Sequence, residues 1–160
     1  MDKSFAQLSS GSRITKASDD AAGLTISENL KSRIRGFNQA KRNAQDAVSV
    51  TQVAEGGLNE VSNILVRLRE LGVQAASDNV GDTERGFINK EVQQLVTEMD
   101  RIANTTKWGN TELLNGTGDK FEFQIDLGND DINDRISFES SQIQATTDNL
   151  GVSGFDFSEK

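Results

Sequence analysis

The chain has 160 residues, about one domain by length, with 34% hydrophobic residues, 26% charged residues and a net charge of −8. Cysteine, histidine and proline are absent. That excludes disulfides, thiolate or Ser–His nucleophiles and zinc sites of the H-E-x-x-H type. The acidic excess argues against nucleic acid as a partner, and no stretch approaches the ~20 apolar residues that span a bilayer.

Met1 to Lys16 read as a lead-in segment. The residues "MDKSFAQLSSGS" hold no apolar run of the secretory type, and "LSSGSRITKAS" is rich in turn formers and predicts a loop or irregular spacer. A helix is expected from about residue 19, with Ser18 as its cap and Asp19 and Asp20 in the positive first turn. The acidic pair marks a helix start rather than a catalytic dyad, because no third chemical group lies nearby. Absence of proline leaves this helix free to run to Ser77, roughly 90 Å at 1.5 Å per residue.

Its apolar residues alternate by four and three: Ile26, Leu30, (Arg33), Phe37, Ala40, Ala44, Ala47, (Thr51), Ala54, Leu58, Val61, Leu65, Leu68, (Gly72) and Ala75. A repeat of 3.5 predicts coiled-coil-like packing along one seam. A second row, including Ile34, Val48, Val50, Val53, Ile64, Leu71 and Val73, predicts neighbours on more than one side, within the chain or from other subunits. Gly56 and Gly57 read either as close packing against another backbone or as a kink. The basic run "KSRIRGFNQAKR" (Lys31 to Arg42) reads as a solvated or interface face, since its one aromatic, Phe37, belongs to the seam.

"SDNVGDT" breaks the helix, with Gly81 for the turn and Asp82 as the expected cap. A second helix is expected over about 83–106, with Ile88, Val92, Leu95, Met99 and Ile102 on its seam, packed antiparallel to the first. "TKWGNTELLNGTG" reads as a loop. "FEFQIDL" (Phe121 to Leu127) and, more weakly, "RISFES" (Arg135 to Ser140) alternate as strands around "GNDDIND". The polar tail from Gln142 is expected to be mostly loop.

The fold expected from these elements is mainly α: an elongated, antiparallel, coiled-coil-like bundle of long helices with a small β-hairpin region. Residues 1–18 form the terminal segment and spacer, 19–118 the helical core, and 119–160 the hairpin and loops. Asp126, Asp130, Asp131 and Asp134 miss the spacing of an EF-hand loop, which needs Gly at its sixth position and a bidentate acid at its twelfth. "NGTGDK" is not a phosphate-binding loop, and Asn104-Thr105-Thr106 and Asn115-Gly116-Thr117 are weak glycosylation motifs. No metal, cofactor or catalytic site is marked, and the chain reads as a non-enzyme. An enzyme using only carboxylates and lysine is the one catalytic alternative.

Several stretches together resemble a known family. "LSSGSRI", "DDAAGLTI", "QAKRNAQDA", "AEGGLNE" and "RLRELGVQAA", all between Leu8 and Ser77, closely resemble the N-terminal core of bacterial flagellin. "KEVQQLVTEMDRIANTTKWGNTELLNG" resembles that family's second core helix and the loop after it, and "TGDKFEFQIDLG" its hairpin region. Trp108 stands where the family usually has phenylalanine.

The resemblance implies a subunit of the flagellar filament, self-assembling into an extracellular helical tube for motility. It implies partners in other flagellin subunits, the flagellar export apparatus and a chaperone, and hook-associated proteins, with export that needs no cleaved signal. Members of the family begin with a further helical segment and end with long helices that fold back. The chain is therefore expected to be truncated at both ends, with its second apolar row bare. The resemblance also implies recognition of the monomer by Toll-like receptor 5, through Arg67, Leu71 and Glu91, with Arg69, Glu70 and Gln74 as neighbours. Arg67, Leu71 and Gln74 are expected to form one stripe facing another protein, since they stand four and three apart. A hook–filament junction protein and a generic coiled-coil interaction module are the alternatives.

Overall fold

A computed structural model describes residues 2–158. In chain order it contains α1 (Asp2–Ser10), α2 (Ala21–Ala75), α3 (Asp82–Thr105), β1 (Lys107–Trp108), β2 (Thr111–Glu112), β3 (Lys120–Gln124) and β4 (Arg135–Glu139), then one 3₁₀ turn at Ser140–Gln142. The fold is mainly helical, with β1–β2 and β3–β4 as two small antiparallel pairs. Two compact units result. One holds the described residues up to Ala44 with Gln124–Arg135; the other holds Gln45–Phe123 and the described residues from Ile136 on.

In the first unit, α1 covers part of the stretch expected to be irregular, and the turn begins at Gly11, whose φ is +64°. The start of α2 differs from the expectation at Ser18. Asp20 is the cap: its Oδ1 accepts the Gly23 amide at 2.9 Å, three residues into the helix. Asp19 is engaged instead by the Thr15 hydroxyl at 3.2 Å. The loop after β3 lies on α2. Asn43 Nδ2 donates to the Gln124 carbonyl at 2.8 Å, and the Leu127 side chain occupies the space where a Cβ at Gly36 would stand.

This loop covers only the face of Gly36, Ala40 and Asn43. Ile26, Leu30 and Phe37, expected in the seam, are 61%, 52% and 47% exposed. Of the seam residues in this unit, Ala40 is buried, whereas these three expected seam residues are not.

The second unit contains the core. Ala47, Val50, Ala54, Val61, Leu68, Leu71 and Ala75 of α2 are buried, as are Ile88, Val92, Met99 and Ala103 of α3. Leu113, Leu114, Ala145 and Val152 complete it. Leu65, Leu95 and Ile102 pack on its margin. Contacts of Arg67 with Glu91, and of the Gly57 position with Thr106, run α3 antiparallel to α2.

The buried phase of α2 is shifted on one side. Ala47, Ala54, Val61, Leu68 and Ala75 form one row as expected, but the companions beside it are Val50, Gly57, Ile64 and Leu71 rather than Thr51 and Leu58, with Leu65 packed on the core margin as Ile64 is. Both choices give a four-three repeat, and burial selects the one that carries Leu71. Leu58 is accordingly 39% exposed. Val50, Ile64 and Leu71, expected in a bare second row, are thus covered within the chain.

Gly57 belongs to the close-packed row. A Cβ there would stand 2.6 Å from Leu114 Cδ1 and 2.8 Å from Thr106 Oγ1, whereas one at Gly56 meets nothing within 4 Å. The helix runs through both without interruption.

At the α2–α3 turn the cap is Gly81, not Asp82, which is the first helical residue. The buried Arg85 closes this turn: its Nε and Nη2 donate to the carbonyls of Val80 and Ser77, each at 3.2 Å. Gly109, at φ +60°, turns β1 into β2. Phe121 and Phe123 stack at 6.1 Å, with Phe138 of β4 at 6.4 Å from Phe121.

The tail lies along α3 as a strap. Asp100 accepts both the Thr147 amide (2.9 Å) and its hydroxyl (2.8 Å). Gln93 Nε2 donates to the Phe155 carbonyl at 2.7 Å, and the Phe157 amide donates to Asn89 Oδ1 at 3.2 Å. Phe157 sits over Gly72.

Candidate interaction surface

The α2–α3 pair places the predicted interaction residues on two sides of one packing line. Arg67, one turn before Leu71, lies beside the core line and reaches across to α3. Its Nε and Nη2 meet Glu91 Oε1 at 2.9 and 2.8 Å, and its Nη1 meets Glu70 Oε2 at 3.1 Å. Hydrogen bonding to Glu91, then to Glu70, raises the guanidinium pKa further. Arg67 is thereby fixed in direction while its side chain stays 48% exposed, with Glu91 at 44% and Glu70 at 60%. Arg69 and Gln74 are exposed.

Leu71 departs from this set. It is 1% exposed and belongs to the core, so the stripe of Arg67, Leu71 and Gln74 does not exist as a surface. The exposed row is Arg67, Glu70 and Gln74, at i, i+3 and i+7, with Glu91 beside it. Of the apolar surroundings, sequence reasoning names Val73 in the second row but misses Phe87 and Val66. Phe87 is 63% exposed, one residue outside the Ile88–Val92 seam, and carries the Lys90 ammonium 5.5 Å from its ring centre. Val66 and Val73, one heptad apart on α2, are 57% and 71% exposed. Counting outward from the buried phase would have found Phe87 and Val66 as well.

The acidic loop is held by its own backbone. Asp130 accepts the Ile132 amide and the Asn133 side chain, which hold its carboxyl below the usual range. The buried Asp134 accepts the Asp130 amide at 2.9 Å, and Asp131 pairs with Arg135 at 2.7 Å. Among the described residues no group of three or more acidic, histidine or cysteine side chains could hold a metal ion. Among the same residues no helix is long and apolar enough to cross a membrane.

Comparison with known proteins gives a consistent answer. A family model described as the bacterial flagellin N-terminal helical region matches residues 1–119. A flagellin of Clostridium tyrobutyricum is 52% identical over 115 residues, covering 72% of this chain and 30% of that protein. Polar flagellin F of Vibrio parahaemolyticus is 41% identical over 157 residues, covering 98% of this chain and 40% of that one. Among solved structures, Bacillus cereus flagellin aligns with a TM-score of 0.56 at 28% identity, covering 73% of this chain and 74% of that chain. The chain thus spans less than half the length of these curated relatives. On this match the chain belongs to the bacterial flagellin family, with residues 1–119 corresponding to its N-terminal helical region.

Proposed function

We propose that this chain is part of the structural subunit of the bacterial flagellar filament, an extracellular tube built by self-assembly for motility. The observation that carries the reading is an apolar stripe left bare on α2. Ile26, Leu30, Ile34 and Phe37 recur every three or four residues on one helix face, between 47% and 61% exposed. Such a face needs another helix to cover it. Head-to-tail contacts that do not close generate filaments. On this reading the partners are other flagellin subunits, the export apparatus with its chaperone, and hook-associated proteins. Electron microscopy of the full-length product under polymerising conditions is expected to show tubes; persistent monomers would overturn the proposal.

The same reading extends to Toll-like receptor 5 as a reader of the monomer. Arg67, with its direction fixed by Glu91 and Glu70, supports this extension, with Arg69 and Gln74 exposed nearby. Leu71 acts by holding α2 against α3, not by touching the receptor. Arg67→Ala and Glu91→Ala monomers are expected to signal more weakly; unchanged potency of both removes the receptor from the reading while leaving the filament intact.

A further inference from the structure

Asn115-Gly116 is the one Asn-Gly pair in the sequence. This pair is the most prone of all to lose its side-chain amide, because glycine carries no side chain to shield the attacking backbone nitrogen. The Gly116 nitrogen gives up its proton and bonds to Asn115 Cγ. Nδ2 takes a proton and leaves as ammonia, closing a succinimide. One water then opens either imide bond, leaving aspartate or isoaspartate. The step consumes water, releases ammonia and needs no oxidant.

The fold cannot avoid the pair by replacing the glycine. Gly116 has φ +77°, and a Cβ there would run into the Gln144 side chain, whose backbone bridges to Asn115. The side chain of Asn115 is instead held at both ends. Its Oδ1 accepts the Thr117 amide at 3.0 Å, and the single Thr117 hydroxyl proton is shared between this oxygen at 2.8 Å and the Glu112 carboxylate at 3.1 Å. Its Nδ2 donates to the Glu112 carboxylate and, at 3.3 Å, to Asn104 Oδ1. Lys107 anchors Glu112 from the other side at 2.8 Å. To react, the amide must present Cγ to the Gly116 nitrogen and release Nδ2 from a charged acceptor. Release of Nδ2 breaks its bonds to Glu112 and Asn104.

We propose that Asn115 is a clamped modification site: an amide kept intact by the folded turn between β2 and β3 and converted to aspartate or isoaspartate when that turn opens. The product carboxylate would face Glu112 with no amide protons to offer it, so the turn would not re-form as before.

The test follows Asn115 by peptide mass spectrometry during incubation of the whole chain in mildly alkaline buffer, folded or unfolded in guanidinium. A synthetic peptide of Leu113–Gly118 serves as the unclamped standard. Loss in the folded chain is expected to be about tenfold slower or more, the factor for one charge-assisted hydrogen bond, while the unfolded chain matches the peptide. Equal rates overturn the proposal. A faster folded rate also overturns it, because the Thr117 donors would then be stabilising the reacting oxygen. Glu112→Gln and Thr117→Val, each checked for native circular dichroism, are expected to raise the folded rate. Two folded variants that keep the wild-type rate would equally refute the clamp.

Discussion

Arg67 and Leu71 are one turn apart on α2, and their burial separates a surface role from a core role. Leu71→Ala is expected to cost about 2–5 kcal/mol, the range for emptying a leucine site in a packed core, read as a lower urea midpoint. Arg67→Ala is expected to leave that midpoint nearly unchanged, since exposed ion pairs add little. An unchanged midpoint for Leu71→Ala would contradict its place between the helices. The carboxylates give a pH dependence. Glu112 is held low chiefly by Lys107, then by Asn115 and Thr117, and Asp130 chiefly by the Ile132 amide. A carboxylate with a depressed folded-state pKa adds stability above its unfolded pKa and loses it as pH falls through the folded value. Midpoints are therefore expected to be level from neutral pH down to the carboxylate range and to drop below it; a midpoint that rises on acidification would contradict these contacts. The caps show what single residues could reveal in advance. Ser18, Asp19 and Asp20 all suit a helix start, and only the Gly23 amide, reached by Asp20, decides among them.

At the level of elements, the two helices were legible because their apolar residues recur over many turns. The phase was not. The row through Val61 and Leu68 admits companions at Leu58 and Leu65 or at Gly57 and Ile64. A reading by hydrophobicity prefers leucine to glycine, but the fold needs the small residue where Leu114 and Thr106 approach. The neighbouring glycines make a direct test. Gly56→Ala is expected to stabilise the chain by about 1 kcal/mol through helix propensity alone, whereas Gly57→Ala is expected to destabilise it, because its Cβ must displace Leu114 or Thr106. Matching shifts in thermal midpoint for the two would refute the close approach. The strap offers a second test. Asp100→Ala strips the partner from the buried Thr147 amide and hydroxyl, and hydrogen exchange over residues 145–157 is expected to accelerate while α3 stays protected.

For the whole molecule, motifs between Leu8 and Gly116 pointed to the family, and the match over residues 1–119 bears that out. The strap left no such trace. Gln93 and Asn89 hold it through a backbone carbonyl and a backbone amide, groups every residue carries, so no periodicity or composition announces where it lies. The stripe of Leu30 and Phe37 is the converse: visible in sequence, uncovered in structure. Leu30→Ser and Phe37→Ser are expected to leave the circular dichroism of this chain unchanged and to reduce polymerisation of the full-length product, measured by sedimentation. Normal polymerisation of both would show that this face is not used in assembly.

The strap also sets an order of events in folding. Its bonds join residues 47 and 68 positions apart, Asp100 with Thr147 and Asn89 with Phe157. The α2–α3 turn, in contrast, closes over a few residues, with Arg85 reaching back only eight positions to Ser77. Short closures cost less chain entropy and come first. The helical hairpin is thus expected to form while the strap is still loose, with the Gly72 groove open until Phe157 arrives. In the native state the same ranking runs backwards, and the strap is expected to lift before the helical hairpin opens.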